Sequence, residues 1–236
     1  MKESYDDFKT RIKYQDDEQF TAEGRFNPNG ELSEKVAPDG RFCPFYGDTV
    51  VFELDDGVKA RVAAMIEKLY EAAPECFCEK LVASTVHMTM HDLSAPVSKQ
   101  VTAANEKKLK EVLRADPVRR QIIRMKSNKV INMVGKSLLL TLLPADREDW
   151  DKLQEIYTLI DRVQVCDYPF LTPHITLGYY RLQGFDNAAR LKLKAVIDEL
   201  NLDSFDVTLS TDRLYYQHFT DMNHYENIFA IGEAAP

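Results

Sequence analysis

The sequence predicts an α+β fold built from two similar halves. Segments of strand length, rich in β-branched and other apolar residues, alternate with longer segments in which apolar residues follow helical spacing. The order strand, helix, strand, helix, hairpin in the first half is partly repeated as helix, strand, helix, hairpin in the second. One short motif also occurs once in each half. We therefore expect a pseudo-symmetric architecture.

The first regular elements follow a long N-terminal stretch. Residues 1–47 show turn signals but no sustained periodicity, and are predicted to be an irregular arm. A β-branched apolar strand is expected at residues 49–54, and Asp55 is suited to cap the helix that follows. The apolar residues of that helix recur at helical spacing: Val58, Val62, Met65, Ile66 and Leu69.

The rest of the chain divides at turn residues in the same way. Residues 48–236 are expected to form a single bilobal domain, with lobes at roughly 48–144 and 145–236. The remaining predicted elements are a strand at 81–93, a helix at 101–113, a hairpin with strands at 119–134 and 137–143 turned at Gly135-Lys136, a helix at 148–163, a strand at 174–180, a helix at 187–200, and closing strands at 205–218 and 226–232.

Composition limits the class of protein. With 236 residues, of which 44% are hydrophobic and 29% charged, the chain can bury a full-sized core. Its longest apolar run, residues 137–143, is far shorter than the roughly 20 residues that span a bilayer, so no membrane segment is expected. The N-terminus has no signal-peptide pattern, and the four cysteines form no C-x-x-C pair. These features favour a cytoplasmic protein.

The motif common to the two halves carries the chemistry. It is His87-Met-Thr-Met in the first half and His174-Ile-Thr-Leu in the second, each within a predicted strand. Because side chains alternate along a strand, each histidine shares a face with the threonine two residues later, while the apolar residues point into the core. If the two strands lie side by side, two imidazoles and two hydroxyls meet in one groove.

That set of groups suits phosphodiester chemistry. An imidazole has a pKa of about 6.5, so near neutral pH one can accept a proton while the other donates one. The hydroxyls of Thr89 and Thr176 can donate hydrogen bonds to phosphate oxygens, and the scheme requires no metal. His87, Thr89, His174 and Thr176 are therefore the candidate catalytic residues.

Three further residues are candidates for substrate contact. Strict alternation places His91 on the face of His87 and Thr89, and Tyr180 on the face of His174 and Thr176. Tyr46 precedes the first strand, and an aromatic ring there is suited to stack on a base. An alternative remains open, in which His87, His91 and His174 bind zinc.

Charge is unevenly distributed along the chain. The net charge of −8 argues against a protein that coats nucleic acid, since phosphate binding requires a basic surface. Residues 107–136 nevertheless contain ten Lys or Arg and only two acidic residues. This segment is interpreted either as a solvated basic face or as a region that attracts an anionic substrate.

In its two motifs the chain resembles the two-histidine phosphoesterase superfamily, which is defined by two H-x-[ST]-x motifs in a bilobal α+β fold. Gly40-Arg-Phe-Cys-Pro-Phe-Tyr-Gly-Asp-Thr-Val-Val51 is also similar to the opening segment of a largely uncharacterised bacterial branch of that superfamily. The resemblance implies antiparallel sheets flanked by helices around a central cleft with pseudo-two-fold symmetry, and no cofactor.

The function implied by this resemblance is hydrolysis of a 2′,3′-cyclic phosphate or of a short 2′-5′-linked RNA or nucleotide, with two-histidine acid–base catalysis and no metal. The expected partner is a nucleotide or RNA end that carries a cyclic or diester phosphate, with no membrane and no stable protein partner. The alternative is a non-catalytic module that binds nucleotides or RNA ends. A binding module would be served better by Arg or Lys, which stay charged, than by histidine.

Overall fold

The computed structural model describes residues 3–14, 24–165 and 170–233, and within them the α+β class is confirmed. The described helices are α1 (Tyr5–Tyr14), α2 (Asp56–Ala72), α3 (Lys99–Ala115), α4 (Arg147–Ile160) and α5 (Asn187–Leu200). The described strands are β1 (Gly47–Glu53), β2 (His87–Ser94), β3 (Ile122–Met133), β4 (Ser137–Pro144), β5 (His174–Tyr179), β6 (Asp206–Ser210), β7 (Leu214–Asp221) and β8 (His224–Ala230).

All eight strands belong to one sheet, in the order β6-β3-β4-β5-β2-β1-β7-β8, and each neighbouring pair is antiparallel. The order is symmetric about its centre: β2 corresponds to β5, β1 to β4, β7 to β3, and β8 to β6. The two motif strands are the central pair, joined at Met88 and Ile175. The expected pseudo-two-fold relation is thus present in the sheet.

The halves of this sheet do not divide the chain at residue 144, as the predicted lobes did. The hairpin of β3 and β4 pairs with β5 and β6, whereas β7 and β8 pair with β1, which lies near the N-terminus. Each half therefore takes its strands from both predicted lobes. Hydrogen bonding between distant strands decides this arrangement, and the order of elements along the chain does not reveal it.

Two predicted strands also end differently. The segment predicted as one strand at 205–218 is divided by a 3-10 turn at Thr211–Arg213, because β6 pairs with β3 while β7 pairs with β1 at the other half of the sheet. The strand predicted at 81–93 begins only at His87, after a 3-10 turn at Ala83–Thr85. The first motif is consequently at the start of its strand, as the second is.

Side-chain capping fixes where three helices begin. Asp55, Asp146 and Asp186 each accept a hydrogen bond from the backbone N–H three residues later, at 2.9, 3.0 and 2.9 Å. A capping side chain satisfies a backbone N–H that the first helical turn leaves without a partner. The predicted cap at Asp55 is confirmed.

The N-terminal stretch is part of the domain core, contrary to its description as an arm. Helix α1 packs on α4 through Phe8 and Trp150, whose rings stack at 4.1 Å and are fully buried. Phe26 and Phe185 form an isolated β-bridge, and their rings stack at 4.6 Å. Residues 1–2 and 15–23 of the predicted arm lie outside the described residues.

None of the helices in the described part of the chain is long and apolar enough to cross a bilayer.

Candidate active site

The two motifs meet in one cavity at the centre of the sheet. His87, Thr89, His174 and Thr176 all line a cavity of about 220 Å³, and each of these side chains is partly buried. They are brought together because β2 and β5 are hydrogen-bonded neighbours. The convergence expected from the sequence is therefore present in the structure.

A β-bulge follows the threonine of each motif. On β1, Val51 lies opposite Thr89, but the preceding residue Val50 lies opposite His91, so β2 contains one extra residue at this point. On β4 and β5 the same shift separates the Leu139–Thr176 pair from the Leu138–Gly178 pair. A bulge of this kind reverses the alternation of side chains beyond it. Both motif strands carry the reversal at the same position.

The bulges change which residues face the cavity. Asp92 lies opposite Thr49, on the same face as His87 and Thr89. In the other half, Tyr179 lies opposite Ser137, on the face of His174 and Thr176. Asp92 and Tyr179 therefore occupy the positions that strict alternation assigned to His91 and Tyr180, and both line the cavity.

His91 is held on the opposite side of the sheet from His87. It is 1% exposed, its Nε2–H donates to Asp161 Oδ1 at 2.9 Å, and its ring packs at 4.8 Å from that of Tyr157 in α4. The prediction that His91 shares the face of His87 and Thr89 is corrected by the bulge, and this side chain serves to attach α4 to the sheet. The ring of His91 still forms part of the cavity wall, so all three histidines of the zinc alternative line the cavity. They do not form a metal-binding cluster, and none is found among the described residues.

Tyr180 and Tyr46 also lie elsewhere than predicted. Tyr180 is fully buried among the rings of Phe26, Phe77 and Phe185, so it is a core residue. Tyr46 lines an adjacent groove instead of the cavity between the motifs. Its hydroxyl is 3.1 Å from Thr102 Oγ1 and 3.4 Å from His218 Nδ1.

The two catalytic candidates have the same orientation. Nδ1 of His87 is 2.7 Å from the carbonyl oxygen of Thr85, and Nδ1 of His174 is 2.6 Å from that of Thr172. Because a carbonyl only accepts hydrogen bonds, Nδ1 carries the proton, and Nε2 is the nitrogen available for proton transfer. The sequence contains a signal for this contact that the motif analysis missed: both halves read T-x-H-x-T.

Burial lowers the proton affinity of both imidazoles. It lowers the pKa of His87 from 6.5 to about 4, opposed by the hydrogen bond to the Thr85 carbonyl and by the negative charge of Asp92. Burial also lowers the pKa of His174, again against its carbonyl hydrogen bond and Asp92. At neutral pH both rings are mainly uncharged before any ligand binds, and an anionic ligand would favour protonation.

Lysines supply positive charge at the cavity. Lys35, from the N-terminal stretch, and Lys136, within the β3–β4 turn, both line it. Lys136 also forms an ion pair with Glu31. Elsewhere in the basic segment at 107–136, Arg124 forms ion pairs with two aspartates of the α4 N-terminus, away from the cavity. The contribution of Lys35 was missed because the N-terminal stretch was not expected to reach the site.

The cysteines in the described residues are not placed for chemistry. Cys76 and Cys78 are buried, which raises the pKa of each thiol to about 12, so neither is a thiolate at neutral pH. Cys43 is partly buried outside the cavity lining. Cys166 lies outside the described residues.

No protein-family model and no curated protein matches the chain. Among solved structures, the conserved protein of unknown function ATU0111 from Agrobacterium tumefaciens is similar, with a TM-score of 0.67 and 17% identity over 87% of this chain and 94% of that chain. LigT of E. coli in apo form gives a TM-score of 0.45 and 14% identity, covering 79% and 96% of the two chains. The complex of LigT with 3′-AMP gives a TM-score of 0.44 and 15% identity, covering 78% of this chain and 96% of that chain. The similarity to the Agrobacterium protein shows a common fold.

The cavity combines two proton-transfer groups, two hydroxyl donors and two ammonium groups within one small volume. Nε2 of each histidine can take up or release a proton, since Nδ1 is held by a carbonyl. The threonine hydroxyls and the lysines are suited to an anion with several oxygens. These are the groups that acid–base cleavage of a phosphate ester requires.

Proposed function

We propose that the protein is a metal-independent phosphodiesterase that hydrolyses a 2′,3′-cyclic phosphate, or a short 2′-5′-linked nucleotide, by two-histidine acid–base catalysis. The observation that supports this most strongly is the convergence of His87 and His174 in one cavity, each with Nδ1 bound to a carbonyl and Nε2 available. The substrate class comes from the resemblance of the two motifs to the two-histidine phosphoesterases.

In the proposed reaction, Nε2 of one histidine removes a proton from water as the water oxygen attacks phosphorus. The bond from phosphorus to the ribose oxygen breaks, and the second histidine, protonated at Nε2, gives its proton to that oxygen. The products are a phosphomonoester and a free ribose hydroxyl. Thr89 and Thr176 donate hydrogen bonds to the non-bridging oxygens, whose negative charge increases in the transition state.

We assign His174 as the base and His87 as the acid. A protonated His87 is a stronger acid than an ordinary imidazolium, because burial lowers its pKa to about 4, and so it gives up its proton readily to the leaving oxygen. Only a small fraction of the substrate-free protein carries that proton at neutral pH. In this scheme the bound phosphate lies next to both rings, and its negative charge raises the fraction of the protein in which His87 is protonated.

The remaining substrate contacts are also proposals. Lys35 and Lys136 attract the phosphate, and Tyr179, which is partly buried at the cavity wall, provides a ring for the sugar or base. Tyr46 lines the groove on the other side of His87, where it can contact only a substrate that extends beyond the cavity.

The test is turnover of a panel of 2′,3′-cyclic nucleotides in EDTA, followed by phosphorus NMR. We expect hydrolysis by the wild type, and loss of it in both His87→Ala and His174→Ala. His224→Ala is the matched control, since that histidine is exposed and pairs with Asp221 on the β7–β8 turn. The position of the phosphate in the product, 2′ or 3′, identifies the leaving oxygen.

Two outcomes would contradict the proposal. Binding of the nucleotides without turnover at any pH would favour the alternative, a non-catalytic nucleotide or RNA-end binding module. Activity that disappears in EDTA and returns with a divalent cation would exclude the metal-independent mechanism.

A further inference from the structure

The cavity between the motifs contains one carboxylate among its described lining residues, that of Asp92. A carboxylate is unexpected in a site for an anion, because it repels the ligand. Asp92 is exposed, and its side chain makes no ion pair with a described lysine or arginine. The hydroxyl of Thr49 donates a long hydrogen bond to Asp92 Oδ1, at 3.5 Å. Within the described part of the chain, no ion pair therefore neutralises this charge.

The pseudo-two-fold relation shows that the carboxylate of Asp92 has no counterpart in the other half of the site. Asp92 lies opposite Thr49 after the first bulge, as Tyr179 lies opposite Ser137 after the second. The backbone and the hydroxyl-bearing neighbour are the same in both halves, but one half presents a negative charge and the other a neutral phenol. Asp92 thus places a negative charge in one half of the site at a position where the other half has none.

We propose that Asp92 is a positioning residue whose carboxylate stabilises the proton on the catalytic imidazoles and so sets the pH range in which the site works. This inference rests on the proposed phosphodiesterase function. Asp92 is on the face of the sheet that carries His87 and Thr89, and its charge acts on both histidines.

The other charged groups around the imidazoles act against protonation or are neutralised. Lys59 of α2 and a protonated His174 oppose protonation of His87, and Lys35 opposes protonation of His174. Glu53, opposite His87 on β1, is bound to Lys59 at 2.8 Å. The remaining cation that lines the cavity, Lys136, is paired with a glutamate. Asp92 is the charged side chain in the cavity that favours the acid form of both rings.

The first experiment is an NMR titration of the histidine Cε1–H signals in substrate-free protein, assigned with His87→Ala and His174→Ala. We expect Asp92→Asn to lower the pKa of both imidazoles by about one unit. Asp206→Asn is the matched control: it removes the same charge from an exposed position on β6, the edge strand of the other half, and should shift neither. Imidazole pKa values unchanged in Asp92→Asn would overturn the inference.

The second experiment is the pH profile of kcat/KM. For Asp92→Asn we expect the profile to move about one unit toward lower pH, so that activity falls most at neutral pH, with substantial recovery in Asp92→Glu. An equal loss at every pH would mean that Asp92 contacts the substrate or supports the fold, and would also overturn the inference. If the wild type turns over no nucleotide, the proposed function fails, but the titration still decides what Asp92 does to the histidines.

Discussion

The two motif strands have nearly the same backbone but different chemistry. Both read T-x-H-x-T, both bind the histidine Nδ1–H to the carbonyl two residues earlier, and both carry a bulge after the second threonine. After the bulge, however, β2 presents Asp92 to the cavity and directs His91 toward Asp161 and α4, where β5 has Tyr179 and Gly178. Symmetry of the backbone supplies two equivalent proton-transfer groups, and asymmetry after the bulge distinguishes their surroundings.

The glycine in the second half shows how packing maintains this difference. A Cβ at Gly178 would come within 3.1 Å of the Tyr70 hydroxyl and 3.4 Å of Phe77. The space that His91 occupies in one half is therefore filled by aromatic rings in the other. A histidine at position 178 would collide with these rings, so the second half cannot carry the side chain that the first half carries at His91.

The largest expected effect tests whether the two halves contribute equally to catalysis. His87→Ala and His174→Ala should each lower kcat/KM for the cleaved cyclic nucleotide by about 10²- to 10⁴-fold, since each removes one proton-transfer step. Steady-state kinetics with His224→Ala as control measures this. A loss in only one of the two variants would mean that a single histidine carries the chemistry.

The neighbouring tyrosines Tyr179 and Tyr180 test the bulge in the second half. Tyr180→Ala should lower the free energy of unfolding by about 3–5 kcal/mol, because it leaves a cavity in a fully buried aromatic cluster. Tyr179→Ala should have a much smaller effect on stability and raise KM. Urea unfolding and kinetics on both variants provide the measurement. A raised KM in Tyr180→Ala together with a large loss of stability in Tyr179→Ala would mean that Tyr180 faces the cavity, and would contradict the register of β5 with β4.

The corresponding test in the first half is His91→Ala. We expect a loss of about 1–3 kcal/mol in the free energy of unfolding, since the buried bond to Asp161 and the packing on Tyr157 are removed. The shape of the pH profile of kcat/KM should not change. Thermal unfolding and pH-dependent kinetics measure the two quantities. A large fall in kcat/KM at unchanged stability would show instead that His91 contacts substrate.

The last expected effect is on the pH dependence of stability. The folded protein binds a proton at His87 only near pH 4, whereas the unfolded chain binds it near pH 6.5. The unfolded state therefore holds more protons between these values, and stability should fall as pH is lowered from about 6.5 to 4. His87→Ala should lose less stability over that interval. Urea unfolding at several pH values measures the difference, and parallel curves for the two proteins would contradict the low pKa.

The sequence alone predicted much of the fold and the centre of the site. Apolar periodicity located four of the five described helices and most strands within a few residues, whereas α1 lies in the stretch predicted to be an irregular arm. The two H-x-T motifs identified the residues that converge. These features are local: helical periodicity, capping by an aspartate such as Asp55, and alternation over the three residues from histidine to threonine all depend on neighbours in the chain.

Only the tertiary structure decided which residues complete the cavity. The bulges that exchange His91 for Asp92 and Tyr180 for Tyr179 arise from the pairing of β2 with β1 and of β5 with β4, and an added residue in a strand reverses every later side chain. Lys35 reaches the cavity from a stretch without periodicity. The halves of the sheet are likewise set by pairing between strands far apart in sequence. Local sequence does not encode such pairings, because their hydrogen bonds join segments that meet only in the folded chain.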